Sequence, residues 1–331
     1  MDHDIGKKVK LLYSVFCLLE WEQGNMKSIH TKLKTDGFES WFFPSGESDR
    51  CVITLVDSEG NNVINKALAR WFGKHGCCSL GLGKWQDHSQ RDGLHEWPLE
   101  YFGKAIDWLK TRGIKKISVY GISFGGNMAL LAASLYPDIT LTVACEAIDI
   151  VMEGFEEGKK EGMSEWCCGK STFTFQGEAL PYLPYGLTEH QYYDRIVKSC
   201  KKHHELRSRE LFQHAEKQEV PENCFIPIER IHGRLLIIAA ADDSMWESEK
   251  YAMRMEQRLA SLPHPSEAEA VIYPYGTHLL LPYSAGRIGP LDIAALAVKL
   301  FRSGRKNGKE CKESRKQLDA LLANELIFTQ L

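Results

Sequence analysis

A chain of 331 residues with a formal net charge of −3, its 26% charged residues spread along the sequence, has no clustered Lys and Arg for a phosphate backbone, which excludes a nucleic-acid partner. No apolar stretch is long enough to span a bilayer, so no membrane span is expected either. The ten cysteines include the neighbours Cys77-Cys78 and Cys167-Cys168 but no C-x-x-C spacing, so no metal site is expected, and reduced thiols point to a cytoplasmic protein.

Lys7, Lys8 and Lys10 ahead of the apolar residues 11–19 have the outline of a secretion signal, but Glu20 and Glu22 follow at once and no small-residue cleavage site appears. Residues 1–25 therefore read as an N-terminal extension, an amphipathic helix packed on the body, with Met26 just ahead of the first strand. Residues 28–34 alternate and 38–43 are aromatic, so the pair reads as an opening hairpin around Asp36-Gly37, ended by Pro44. The continuous apolar run 51–56 (CVITLV) is expected for a central strand covered on both faces of a parallel sheet. Val63, Ile64, Ala67, Leu68 and Trp71 recur at helical spacing before the strand 77–82, which completes one βαβ unit.

The alternation continues. Pro98 suits the first turn of a helix carrying Leu99, Phe102, Ile106 and Leu109, and Gly113 stops it. A strand over 117–120, a helix over 127–135 halted before Pro137, and a strand over 139–145 follow. Residues 152–230 are richer in charge and turn residues, with a hairpin near 172–177, the stretch LPYLPYG and a polar helix over 192–217; they read as a cap inserted into an α/β domain of residues 26–331. The rhythm resumes with strand 234–241, helix 247–262, last strand 268–273 and closing helix 291–301. Crossovers of this length imply a mostly parallel sheet with helices on both faces.

Gly121-Ile122-Ser123-Phe124-Gly125 matches G-x-S-x-G and lies between an apolar strand and an Ala/Leu helix, the context of the nucleophile elbow of the α/β-hydrolase fold. A serine hydroxyl needs a histidine to take its proton and a carboxylate to fix that histidine's tautomer. In this fold both sit on loops at the C-terminal ends of later strands, in the order acid then histidine. Asp242-Asp243 follows strand 234–241, and His278 follows strand 268–273. Asp243 is favoured as the acid because it projects from the turn; Asp242 can bond local backbone or cap the next helix, and Glu146 is a third candidate. His203 and His204 fall on a polar helix and His232 precedes a strand, where solvated or packing roles suffice. The oxyanion needs two N–H donors, expected from Phe124 and from the loop 57–61 through Ser58 or Glu59. Gly81-Leu82-Gly83 lacks the third glycine of a dinucleotide site, and no cofactor is expected.

The segments GISFGG, ADDSMWESEKYAMRMEQRL and YPYGTHLLLPYS resemble the acyl-CoA thioesterase and bile-acid-CoA:amino-acid acyltransferase C-terminal domain family, from about Lys27 onward. Asp242, Asp243, Trp246, Tyr273 and His278 match its pattern, and the resemblance implies Asp243 as the acid; STFTFQGEALPYLPY is similar to its hairpin over the active site. Its amino-acid acyltransferases use cysteine, so Ser123 implies that water resolves the acyl intermediate. The chain is similar to a single-domain relative, because the residues before Lys27 are too few for the N-terminal sandwich domain that the resemblance implies for vertebrate members.

The leading expectation is a serine hydrolase that cleaves a small-molecule acyl thioester (acyl-CoA) or carboxylic ester. The alternatives are a serine peptidase or small-ester, dienelactone-like hydrolase, and a non-catalytic binding homologue using the pocket under the cap. Lys198, Lys201, Lys202, Arg207 and Arg209 read as a solvated face or as contacts to CoA phosphates.

Overall fold

The computed structural model describes residues 26–46, 48–56, 62–83, 93–156, 166–288 and 290–328. Eight strands form one sheet: β1 (Ile29–Thr31), β2 (Ser40–Phe43), β3 (Arg50–Val56), β4 (Cys78–Leu82), β5 (Lys116–Ile122), β6 (Ile139–Cys145), β7 (Gly233–Ala240) and β8 (Ser266–Tyr273). Their order is β1-β2-β4-β3-β5-β6-β7-β8, antiparallel from β1 through β2 to β4 and parallel from β4 onward. The run expected to be central is central, and its alternation shows why it reads as unbroken apolar sequence. Cys51, Ile53 and Leu55 enter the core on one face while Val52 and Val56 enter the core on the other. Helix α1 (Asn62–Lys74) crosses from β3 to β4, α2 (Glu100–Lys110) leads to β5, α3 (Phe124–Leu135) joins β5 to β6, and α6 (Ser248–Ser261) joins β7 to β8. Among the described residues no helix is long and apolar enough to cross a membrane.

Between β6 and β7 lie an antiparallel pair (Glu153–Glu156 with Trp166–Ser171), a small hairpin (Phe173–Phe175 with Glu178–Ala179) and two helices, α4 (Glu189–His203) and α5 (Arg209–Ala215). The polar helix expected over 192–217 is thus two. Thr188 opens α4 with a reciprocal cap to Gln191, and His204 closes it in the left-handed region at φ 56°.

Other expectations are corrected. Residues 33–36 of the opening hairpin form a helical turn (Leu33–Asp36) closed by Gly37 at φ 78°, so β1 is short. Pro98 stands before α2, in a two-residue strand beside Phe173–Phe175. There the amides of Trp97 and Leu99 donate to Thr172 and Thr174, so proline occupies the position that needs no donor. Helix α3 begins at Phe124, directly after the serine. The closing helix expected over 291–301 is a strand pair (Arg287–Ile288 with Leu291–Asp292) and a five-residue helix (Ala294–Val298). The helix that packs on the sheet there is α7 (Gly308–Leu322), with Cys311, Ser314, Arg315, Leu318 and Leu322 buried.

Helix α7 anchors the chain after β8. Arg315, 1% exposed, donates from Nε to the Leu281 carbonyl at 3.1 Å and from Nη1 to Asp292 at 2.8 Å. Asp319 accepts from the Ser284 amide at 2.9 Å and its hydroxyl at 3.0 Å, and that hydroxyl also receives Trp71 Nε1 at 2.9 Å.

Candidate active site

Ser123 sits where β5 turns into α3, at φ 60° and ψ −127°, a conformation that L residues rarely adopt. The turn can be this sharp because its flanks lack side chains. A Cβ on Gly121 would collide with the Gly125 carbonyl, and one on Gly125 with the Leu55 carbonyl of β3. The Ser123 amide donates to the Cys145 carbonyl at 2.9 Å, which ties the turn to β6. Phe124, as the first helical residue, has no carbonyl four residues back within α3, so its N–H lacks an intrahelical acceptor at the positive end of the helix.

His278 Nε2 lies 2.8 Å from Ser123 Oγ, and its Nδ1 lies 2.9 Å from Asp243 Oδ2. A carboxylate only accepts, so Nδ1 carries the proton and the Nε2 lone pair faces the hydroxyl. The three residues lie 120 and 35 positions apart and come from three separate loops at one rim of the sheet. Asp243 is 1% exposed and His278 6%, while Ser123 is half-buried. The second Asp243 oxygen accepts from the amides of Met245 at 2.8 Å and Trp246 at 3.4 Å, which fixes the carboxylate's orientation.

Asp242 does not bond its own turn. Its Oδ1 accepts from the amides of Gly276 and Thr277, so it clamps the loop that carries His278. The doubled aspartate was visible in the sequence, but this second role was not. Glu146, at φ 45° and fully buried, touches neither Ser123 nor His278 through any hydrogen bond; neither carboxylate oxygen has a partner among the described residues. Burial, and then the charges of Asp243 and Asp242, push its carboxyl well above the ordinary range. Its backbone carbonyl receives Trp246 Nε1 at 2.8 Å, and the Trp246 ring stands edge-on to His278 at 4.4 Å.

His203 and His204 end α4, and His232 is exposed ahead of β7. Of the cap cations, Arg207 pairs with Glu205 and Glu210, and Arg209 reaches the Asp243 carbonyl and Glu247; neither belongs to a solvated face. Lys198, Lys201 and Lys202 are exposed. Ser58 and Glu59, expected to hold the second oxyanion donor, lie outside the described residues, as does the extension 1–25. Burial pushes the thiol of Cys77 up to about 12 and those of Cys51 and Cys145 upward as well, so these cysteines carry little thiolate at neutral pH.

Comparison with known proteins agrees with this architecture. An acylaminoacyl peptidase of Pyrococcus horikoshii superposes with a TM-score of 0.51 at 10% identity, over 94% of this chain and 43% of that one, which shows the α/β-hydrolase fold. Polyketide transferase grgF of Penicillium sp is 27% identical over 157 residues, 44% of this chain and 52% of that protein. Acyl-coenzyme A thioesterase 6 of Mus musculus is 26% identical over 288 residues, 84% of this chain and 59% of that protein, and the Homo sapiens protein is 26% identical over 216 residues. The chain spans about half the length of the relatives it matches. Residues 97–286, more than half of the chain and the part holding Ser123, Asp243 and His278, match the description BAAT / Acyl-CoA thioester hydrolase C terminal, and the chain belongs to that family.

Proposed function

We propose that the protein is a serine hydrolase that cleaves acyl thioesters of the acyl-CoA class, or carboxylic esters, through an acyl-enzyme on Ser123. The observation that carries this reading is the unbroken relay from Ser123 Oγ through His278 to Asp243, with both hydrogen bonds under 3 Å. As Oγ attacks the acyl carbonyl, Nε2 takes its proton, and Asp243 stabilises the imidazolium that forms. His278 returns the proton to the departing sulfur or oxygen, and the same imidazole then draws a proton from water, which attacks the ester on Ser123 and frees the acid. The oxyanion is held by the Phe124 amide and by a second donor, for which Ser58 or Glu59 is proposed. The family's description and the thioesterases among the relatives support a thioester carbonyl as the target.

A fluorophosphonate probe tests the nucleophile: the native chain takes the label and Ser123→Ala does not. Release of CoA from acyl-CoAs, set against cleavage of nitrophenyl esters and aminoacyl amides, tests the substrate. Equal labelling of both proteins, or amide cleavage without CoA release, overturns the respective part.

A further inference from the structure

We infer that helix α5 positions the acid and the imidazole of the triad, through Arg209 and Phe212. The inference rests on the serine-hydrolase reading and names residues outside the triad that hold it in register. The turn between α4 and α5 lies along the acid loop, residues 243–247. Arg209 reaches across it with two arms: Nη1 donates to the Asp243 carbonyl at 3.2 Å and Nη2 to the Glu247 carboxylate at 2.7 Å. The amides of Ser208 and Arg209 donate to the Ser244 carbonyl at 3.3 and 3.2 Å, and the Ser208 hydroxyl donates to the Met245 carbonyl at 2.6 Å. The Ser244 hydroxyl returns the contact, donating to the Leu206 carbonyl at 2.8 Å. Three consecutive carbonyls of the acid loop are therefore held by residues of the insertion.

The same loop supplies the Met245 and Trp246 amides that orient the Asp243 carboxylate. Moving the loop moves the acid. One turn further along α5, the Phe212 ring meets Trp246 edge-on at 5.2 Å, and Trp246 meets His278 in the same manner at 4.4 Å. Helix α5 thus bears on the acid through hydrogen bonds and on the imidazole through two successive edge-on ring contacts. A planar guanidinium suits the first contact, because its rigid fork presents two N–H donors to a carbonyl and a carboxylate in fixed directions, whereas an ammonium on a flexible stem is a point charge without that fixed geometry. A displacement of about 1 Å in a relay of this kind can cost on the order of a hundredfold in rate.

Arg209→Lys keeps the charge and loses the fork, and Phe212→Leu keeps an apolar side chain and loses the ring; both are mild enough to fold. They are compared with the native chain and with Lys217→Ala, an exposed change just beyond the same helix. The readouts are kcat and KM on a small nitrophenyl ester and the far-downfield proton resonance of the His278–Asp243 hydrogen bond. The expected result is a kcat lowered about 10- to 100-fold in each positioning variant, KM changed less than about twofold, and a weakened downfield resonance, with Lys217→Ala at the native values. Native kcat and an unchanged resonance in Arg209→Lys and Phe212→Leu, or a loss confined to KM, overturn the inference. Ser123→Ala run alongside separates the two claims: native turnover in that variant defeats the hydrolase reading, whereas a dead Ser123→Ala beside a fully active Arg209→Lys defeats only the role of α5.

Discussion

Asp242 holds His278 without touching its ring: its Oδ1 accepts the amides of Gly276 at 2.8 Å and Thr277 at 2.7 Å, the two residues just before the histidine. Thr277 stands at φ 59°, a conformation that needs such a clamp. Adjacent aspartates thus hold one histidine, Asp243 by its ring and Asp242 through the amides of the two residues before it.

Isosteric substitutions separate these two grips. Asp243→Asn presents an amide to Nδ1, disturbs the tautomer and is expected to lower kcat on the order of 10⁴-fold. Asp242→Asn keeps an oxygen acceptor for both amides, so it costs about 1–2 kcal/mol of stability and leaves kcat far closer to native. Steady-state kinetics beside urea unfolding checks the contrast, which fails if the two variants lose activity equally.

Glu146 contributes a pH-dependent weakness. Its carboxyl is raised in the folded state by burial, then by Asp243 and Asp242, so the folded chain binds the proton more tightly than the unfolded one. The resulting cost is absent below the unfolded value of about 4.3 and grows as the pH climbs toward the folded value. Glu146→Gln removes the titration and is expected to melt at a higher temperature than the native chain at neutral and alkaline pH, with the difference closing near about pH 4. Melting curves across that range decide it; a pH-independent difference contradicts the assignment.

The elbow glycines have no room to give. For Gly121→Ala and Gly125→Ala the obstacle is backbone rather than a flexible side chain, so each change is expected to cost about 3 kcal/mol or more. Denaturant midpoints measure this, and a loss below about 1 kcal/mol would show that the turn can open.

Arg315 is buried against Leu281, three residues past the histidine, and pairs with Asp292. Arg315→Met takes the guanidinium from that carbonyl and from Asp292, which keeps the Ala295 amide, and is expected to destabilise the fold by about 3–5 kcal/mol. Because the loop beyond His278 loses an anchor, kcat measured well below the melting transition should fall as well.

The parts legible in the sequence were those set by local patterns. Apolar runs such as CVITLV announce strands covered on both faces, and G-x-S-x-G between strand and helix announces a turn that only small flanking residues permit. Placing Asp242-Asp243 and His278 at strand ends put three distant residues at one rim, and the structure brings Ser123, Asp243 and His278 together. What stayed hidden depends on contacts between distant segments. The clamp of Asp242 on residues 276 and 277 is invisible from either segment alone. Helix α7 escaped because its inward stripe includes Ser314 and Arg315, so the apolar period is interrupted where a buried guanidinium does the packing. The apolar residues 291–301 mimic a helix but bend, since Asp292 is drawn back to pair with Arg315 and its neighbour Leu291 pairs with Ile288.

The anchoring of residues 281–284 by α7 orders events in time. During synthesis the chain emerges from its N-terminus, so the sheet and all three triad residues are available while the partners of Leu281 and Ser284 do not yet exist. Until Arg315 and Asp319 have left the ribosome, residues 281–284 lack these anchors, and the histidine loop has only the grips of Asp242 and Asp243. In the order of synthesis, α7 is thus the last of these supports to reach the loop that follows β8.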